Sequence, residues 1–298
     1  MRSLFITTKT SDCDNHVKAW KSVYGETAHR TFDHMGLRND WMFLDWAREI
    51  EPDVIFYIGA NQAPGNPKPD TLRALRAFAP MVLLCSDAAD TPWHPVLNQY
   101  RKQGCFDLLV SIDGSRTPYV DLATLTPIAP EPFTRSDVPR DICCGFSGTV
   151  GRWNIRSETI NALEWLGGLT VREREPQDGY NEHAAFMRRC KMILNTSWTG
   201  SGQSHHIKGR VLEAGWAGCA LLEYAESPIA EWFPSDCYFI WRDAKEAATI
   251  IKDASDEEIS HRAERLAHEV RTRYSAKSIY EEILKRINVH IAQPVTAS

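Results

Sequence analysis

No run of about 18 consecutive apolar residues occurs in the 298-residue sequence, so no membrane-spanning helix is expected. There is no C-x-x-C pair among the eight cysteines and no zinc spacing among the ten histidines, so no metal site is expected. An excess of basic residues is also missing: 34 Lys and Arg against 39 Asp and Glu leave a net charge of −5, which gives no reason to expect a nucleic-acid partner. The phosphate-binding patterns G-x-G-x-x-G and Walker A are absent, as are internal repeats and low-complexity tracts. The opening MRSLFITTKT is too short in its apolar part for a signal peptide and is expected to form a first strand. With most cysteines in apolar runs, they are expected to be buried, reduced thiols, and the protein to be cytoplasmic.

What is present is a repeated alternation. Leu4–Thr7, Val54–Ile58, Met81–Cys85 and Phe106–Ile112 read as buried strands, with helices over Asn39–Glu49, Asp70–Phe78 and Pro95–Lys102 between them. Thr8–Asn15 reads as a polar loop, with a helix starting near Val17. Prolines crowd Thr124–Arg140, where an interdomain linker is expected. A second alternation follows: strands at Ile142–Ser147, Leu169–Arg172, Met192–Asn195, Cys219–Leu222 and Tyr238–Trp241, with helices between and after them. The reading is an α/β protein of two doubly wound, Rossmann-like domains facing across a cleft: residues 1–131, residues 132–275, and a C-terminal helix and tail, 276–298, packing back toward the first domain. Trp41, Trp46 and Trp165 sit in helical patterns and are expected in the core.

The most informative stretch runs from His205 to Phe233. Gly218 stands where a left-handed helix cap is wanted, and Lys208 and Arg210 stand at the helix start, a favourable place for an anion. Glu213 follows Arg210 by three residues; its carboxylate could accept from sugar hydroxyls or simply form a surface pair with Arg210. The small residues Ala214, Gly215, Ala217 and Gly218 suggest something packing close to the helix backbone. After the Ile142 strand, Gly148 and Gly151 allow close backbone approach, and Arg152 and Arg156 could meet a diphosphate or be solvated. Asp87 ends a strand and could orient an acceptor hydroxyl, act as a base, or close a turn. His205 could contact a ligand or be a solvated loop residue.

Taken in order, ICCGFSGTVGRWNIR, YNEHAAFMRRCKMILN, GRVLEAGWAGCALLEYAESPIAEWF and the helical tail resemble the GT-B glycosyltransferases, most closely their CgeB-like (spore-maturation-protein-like) branch. LLCSDAADTPW, FDLLVSIDGSRTPYV and LTPIAPEPF extend the resemblance into the first half. It implies a nucleotide-diphosphate sugar bound by the second domain, with Glu213 on the ribose hydroxyls. Arg210, Lys208 and an arginine of the Gly148 loop, Arg156 before Arg152, would hold the diphosphate, with Gly148 and Asn195 lining the donor site. Asp87, His205 and Arg210 are the catalytic candidates. It further implies a retaining, metal-independent transfer needing no cofactor, to an unidentified glycan, protein or small-molecule hydroxyl. The sequence departs from the family at His205, where many retaining relatives carry a second glutamate, and at TTKTSD, which lacks the usual paired glycines. Two alternatives stay open. A nucleotide-sugar 2-epimerase of the same fold would need acid/base carboxylates, for which Asp87 and Glu223 offer themselves. A degenerate transferase could instead serve as a binding or scaffold protein.

Overall fold

Strands and helices alternate along the chain in the computed structural model, which describes residues 1–9, 11–134, 138–151, 155–173 and 179–288. They form two compact units, Met1–Thr124 with Ala276–Ser298, and Leu125–Ser275.

The first unit contains β1 (Ser3–Thr8), α1 (Ser11–Tyr24), β2 (Ala28–Phe32), α2 (Asp40–Ile50), β3 (Val54–Ile58), α3 (Pro69–Leu75), β4 (Met81–Cys85), α4 (His94–Lys102), β5 (Leu108–Ser111) and β6 (Leu122–Ala123). All its strand pairings are parallel, in the order β2-β1-β3-β4-β5-β6. The central strands β3 and β4 are buried along their whole length, as strands covered by helices on both faces must be. The sequence reading has no strand at β2 or at the two-residue β6, and it starts α1 later. Helix α1 begins at Ser11, so that the polar residues read as loop form its first turn. Strand β2 carries only one buried residue, Phe32, so its AHRTF sequence shows no apolar run.

The second unit contains β7 (Ile142–Gly148), α5 (Ile155–Leu166), β8 (Leu169–Glu173), α6 (Tyr180–Arg189), β9 (Cys190–Asn195), α7 (Gly209–Ala217), β10 (Ala220–Tyr224), β11 (Tyr238–Trp241), α8 (Ala244–Asp253) and α9 (Asp256–Arg273). Its sheet is again parallel, in the order β11-β10-β9-β7-β8. The chain winds from β7 out to β8, then returns past β7 to β9, so the winding direction reverses between β7 and β9. Gly218 ends α7 in the left-handed conformation, at φ 67°. Gly215 lies against α9: a Cβ there would stand 2.6 Å from Val270 Cγ2. At Gly215, then, what packs close to the α7 backbone is helix α9. The last helix, α10 (Ala276–Arg286), belongs to the first unit, where the Tyr280 hydroxyl donates to His16 O at 3.0 Å.

The aromatic expectations divide. Trp46 packs against the core of the first unit, but Trp41 and Trp165 are 71% and 85% exposed. Helical spacing identifies a face; it does not say which face is covered. Of the eight thiols all are free, and Cys143 is exposed where burial was expected.

Candidate active site

In open parallel sheets ligands collect at the carboxyl ends of strands where the winding reverses. In the second unit those ends carry Ser147 and Gly148 from β7 and Asn195 from β9. The guanidinium of Arg210, the second residue of α7, bridges the two strands. Its Nη2 donates to Ser147 O at 2.6 Å and its Nη1 to Asn195 Oδ1 at 3.2 Å, while the group lies 4.6 Å over the Phe146 ring. Gly148 makes this possible. At φ 147°, a Cβ on it would stand 2.6 Å from Arg210 Nη2.

Arg156, at the start of α5, spans the same two strand-to-helix loops. It donates to Thr149 O at 3.1 Å and to Trp198 O at 3.2 Å. Burial lowers the pKa of both guanidinium groups. For Arg210 it falls to about 10, with Glu213 acting against the fall and Arg156 adding to it. Each has a buried Nε with no acceptor among the described residues. Two half-buried like charges with unspent donors favour an anion between them. Lys208 immediately precedes α7, and its charge is felt at His205.

Glu213 is 8% exposed. It forms no ion pair with Arg210; its partners lie on α6. The Tyr180 hydroxyl donates to its Oε1 at 2.7 Å, and His183 Nε2 sits 2.9 Å from its Oε2. The other nitrogen of His183 is 2.9 Å from Ser147 Oγ, so a hydroxyl donating there leaves the Nε2 proton for Glu213. Burial pushes the carboxyl pKa up, but His183, Tyr180 and Arg210 together hold it below the usual range. Glu213 is thus a fixed anion with acceptor capacity remaining on both oxygens.

Asn195 is fully buried and links Arg210 to a second acid, donating its Nδ2 to Glu223 Oε2 at 2.7 Å. His205 has partners of its own: Ser197 Oγ at 3.0 Å from Nδ1, Glu226 Oε2 at 3.3 Å from Nε2, and the Trp198 ring at 4.0 Å. Burial lowers its pKa, with Glu226 opposing. Asp87 belongs to the first unit. It follows β4, half-buried, and its carbonyl accepts from Asp90 N at 3.0 Å in a turn. Arg152 lies outside the described residues.

The structure therefore gathers Gly148, Arg156, Asn195, Arg210 and Glu213 at one end of the second sheet, with Lys208 just before their helix. Tyr180, His183 and Ser147 were not foreseen as site residues. The i,i+3 spacing of Tyr180 and His183 puts them on one face, but nothing local announces a partner 30 residues further on. Among the described residues no group of three His, Cys, Asp or Glu side chains is placed to hold a metal, and no helix is long and apolar enough to cross a membrane.

Residues 144–285 match a family model described as glycosyl transferase-like. No curated protein sequence matches the chain. Among solved structures, HepE from Anabaena in complex with UDP and glucose is similar at a TM-score of 0.66 and 11% identity, over 97% of this chain and 100% of that one. The same protein in complex with UDP-glucose gives 0.64 and 12% over the same shares. An alpha-glucosyltransferase in complex with UDP and a mismatched 13-mer DNA gives 0.62 and 10%, over 96% and 100%. Residues 144–285, from within β7 to near the end of α10, are glycosyl transferase-like in sequence, and the chain as a whole is built on the GT-B glycosyltransferase fold.

Proposed function

We propose that this protein transfers a sugar from a nucleotide-diphosphate donor to a hydroxyl acceptor, in the manner of the CgeB-like GT-B enzymes. The observation that carries the reading is Arg210, held across the reversal point of a parallel sheet beside a second desolvated arginine and a fixed carboxylate. In this reading the second unit is the donor side. Arg210, Arg156 and Lys208 take the diphosphate, with Gly148 and Asn195 shaping its seat, and Arg152 adds charge from the Gly148 loop. Glu213, aligned by Tyr180 and His183, accepts from the ribose hydroxyls. As the glycosidic bond breaks, negative charge grows on the diphosphate, and fixed cations lower the barrier without a metal. The reaction retains anomeric configuration. Asp87 and His205 are the remaining catalytic candidates, for acceptor orientation and sugar contact.

The relatives in complex with UDP and UDP-glucose make a uridine donor the first to test. The acceptor is a glycan, protein or small molecule. The net charge of −5 disfavours a polyanionic acceptor such as nucleic acid. We place the enzyme in the cytoplasm, where its free thiols stay reduced.

Thermal-shift and calorimetric titration with nucleoside diphosphates and their sugars test the reading. UDP or UDP-glucose is expected to stabilise the protein, with Arg210→Ala and Glu213→Ala each weakening binding at least about tenfold, the loss of roughly one charge-assisted hydrogen bond. Chelation with EDTA is expected to leave transfer unchanged. No response to any nucleotide would favour the scaffold reading. Isomerisation of the donor without acceptor would favour the epimerase, although Glu223, its best acid/base candidate, is wholly buried.

A further inference from the structure

Glu223 is a wholly buried carboxylate near a strand end of the second unit, and the transfer reading leaves it without a role. Its side chain, near the carboxyl end of β10, is 0% exposed. Its Oε2 accepts from Asn195 Nδ2 at 2.7 Å. A carboxylate only accepts, so its presence forces the NH2 of Asn195 toward itself and the amide oxygen toward the other side. On that other side stands Arg210, whose Nη1 donates to the amide oxygen at 3.2 Å. Had the amide the opposite orientation, its NH2 would meet a guanidinium that can only donate.

We infer that Glu223 is a positioning residue: its buried carboxylate sets the polarity of the Asn195 amide and thereby holds Arg210 across the ends of β7 and β9. Asn195 is the connecting part, and Arg210 is the group that meets the ligand. This assignment rests on the donor-binding reading for its purpose, but the geometry of the three side chains exists without a donor.

The position is also sensitive to protons. Burial raises the Glu223 pKa to about 7, while Asn195, Ser227, the Tyr224 backbone and Arg210 pull it back. The charged and titratable groups facing it are Arg210 from α7 and the Tyr238 phenol from β11, whose own pKa is raised mainly by burial and in part by Glu223. A diphosphate on Arg210 would compete for the charge that stabilises the carboxylate, so binding should raise the Glu223 pKa further and take up a proton. Each unit of that rise makes the donor bind about tenfold more tightly below the free-protein pKa than above the bound one.

The test reads Arg210 directly by 15N NMR of the full chain without nucleotide, its Nε–H signal being assigned by its loss in Arg210→Lys. A step in that signal with a midpoint about pH 7 is expected in the wild type and its loss in Glu223→Gln. Asn195→Ala, which keeps the carboxyl but cuts the connection, should shrink the step and keeps the test decisive if the first variant fails to fold. An Arg210 signal without a step, or with a step unchanged in these variants, would overturn the assignment. A second arm measures UDP-glucose affinity against pH, a probe whose diphosphate does not itself titrate near neutrality. Affinity should fall as pH rises above about 7 in the wild type and stay flat in Glu223→Gln. Binding with the same profile in both would refute the positioning role and leave the donor reading intact. Absence of UDP-glucose binding at every pH, with the NMR step present, would reject that donor and leave the Glu223 linkage standing.

Discussion

Gly148 shows how one missing Cβ decides where a charge can sit. Any L residue there would meet the Arg210 guanidinium and would also be strained at φ 147°. Gly148→Ala is expected to cost about 1–3 kcal/mol of stability through strain and to lower UDP-sugar affinity at least about tenfold by moving Arg210. Calorimetric titration checks the second effect; unchanged affinity would show that Arg210 is placed by something else. Two buried acids give a prediction of opposite signs. The Glu223 pKa is raised to about 7, so the folded state binds the extra proton. Its contribution to stability is complete below the ordinary carboxylate range and is lost as the pH rises through about 7. The Glu213 pKa is lowered despite its burial, by His183, Tyr180 and Arg210. Its contribution is present above the ordinary range and is lost as the pH falls through the lowered value. Calorimetric melting at stepped pH should show wild type losing Tm relative to Glu223→Gln from about pH 5 to about pH 8. Relative to Glu213→Gln, it should lose Tm on acidification below about pH 4.

Helix α7 packs closely on its neighbour α9. Gly215 brings its backbone against Val270 and the Leu266 carbonyl of α9. Gly215→Ala should therefore overpack this contact and destabilise by about 1–3 kcal/mol. Val270→Ala opens space at the same point, so the double variant should recover part of the loss. Additive costs in denaturant unfolding would contradict the contact. The same helix marks how far the sequence could be read. Its span, its Gly218 cap and the placing of Arg210 beside an acid are local features and were legible, as were β3 and β4 residue for residue. That something packs close to its small residues was legible too; that the partner at Gly215 is Val270 was not, because Val270 lies 55 positions away and only the fold brings it there. Strand β2 escaped for a related reason: an edge strand with one buried residue has no periodicity to detect. In the site, Glu213 could be picked from its position on α7, but its partners Tyr180 and His183 could not, since nothing near them in the chain names the carboxylate they bind.

At the scale of the whole molecule, the chain returns to its first unit after completing the second. Helix α10 delivers Tyr280 into the aromatic centre of the first unit, with ring centroids 4.9 Å from Trp20 and 5.7 Å from Phe56. Its hydroxyl donates to His16 O, and burial pushes its pKa well up, so the phenol stays neutral. The first unit is thus completed only when the last helix has been made, whereas Leu125–Ser275 is continuous in sequence. Removing the Tyr280 ring should cost about 3–5 kcal/mol, the range for emptying a large buried aromatic site. That loss should fall on the first unit alone, since every contact named for the ring lies within it. Hydrogen exchange on Tyr280→Ala would then show lost protection in β1, β3 and α1, with β7, β9 and β10 unchanged. Equal loss in both units would mean that they unfold as one, and the C-terminal helix would have to be counted as part of a single cooperative structure rather than as the closing element of the first.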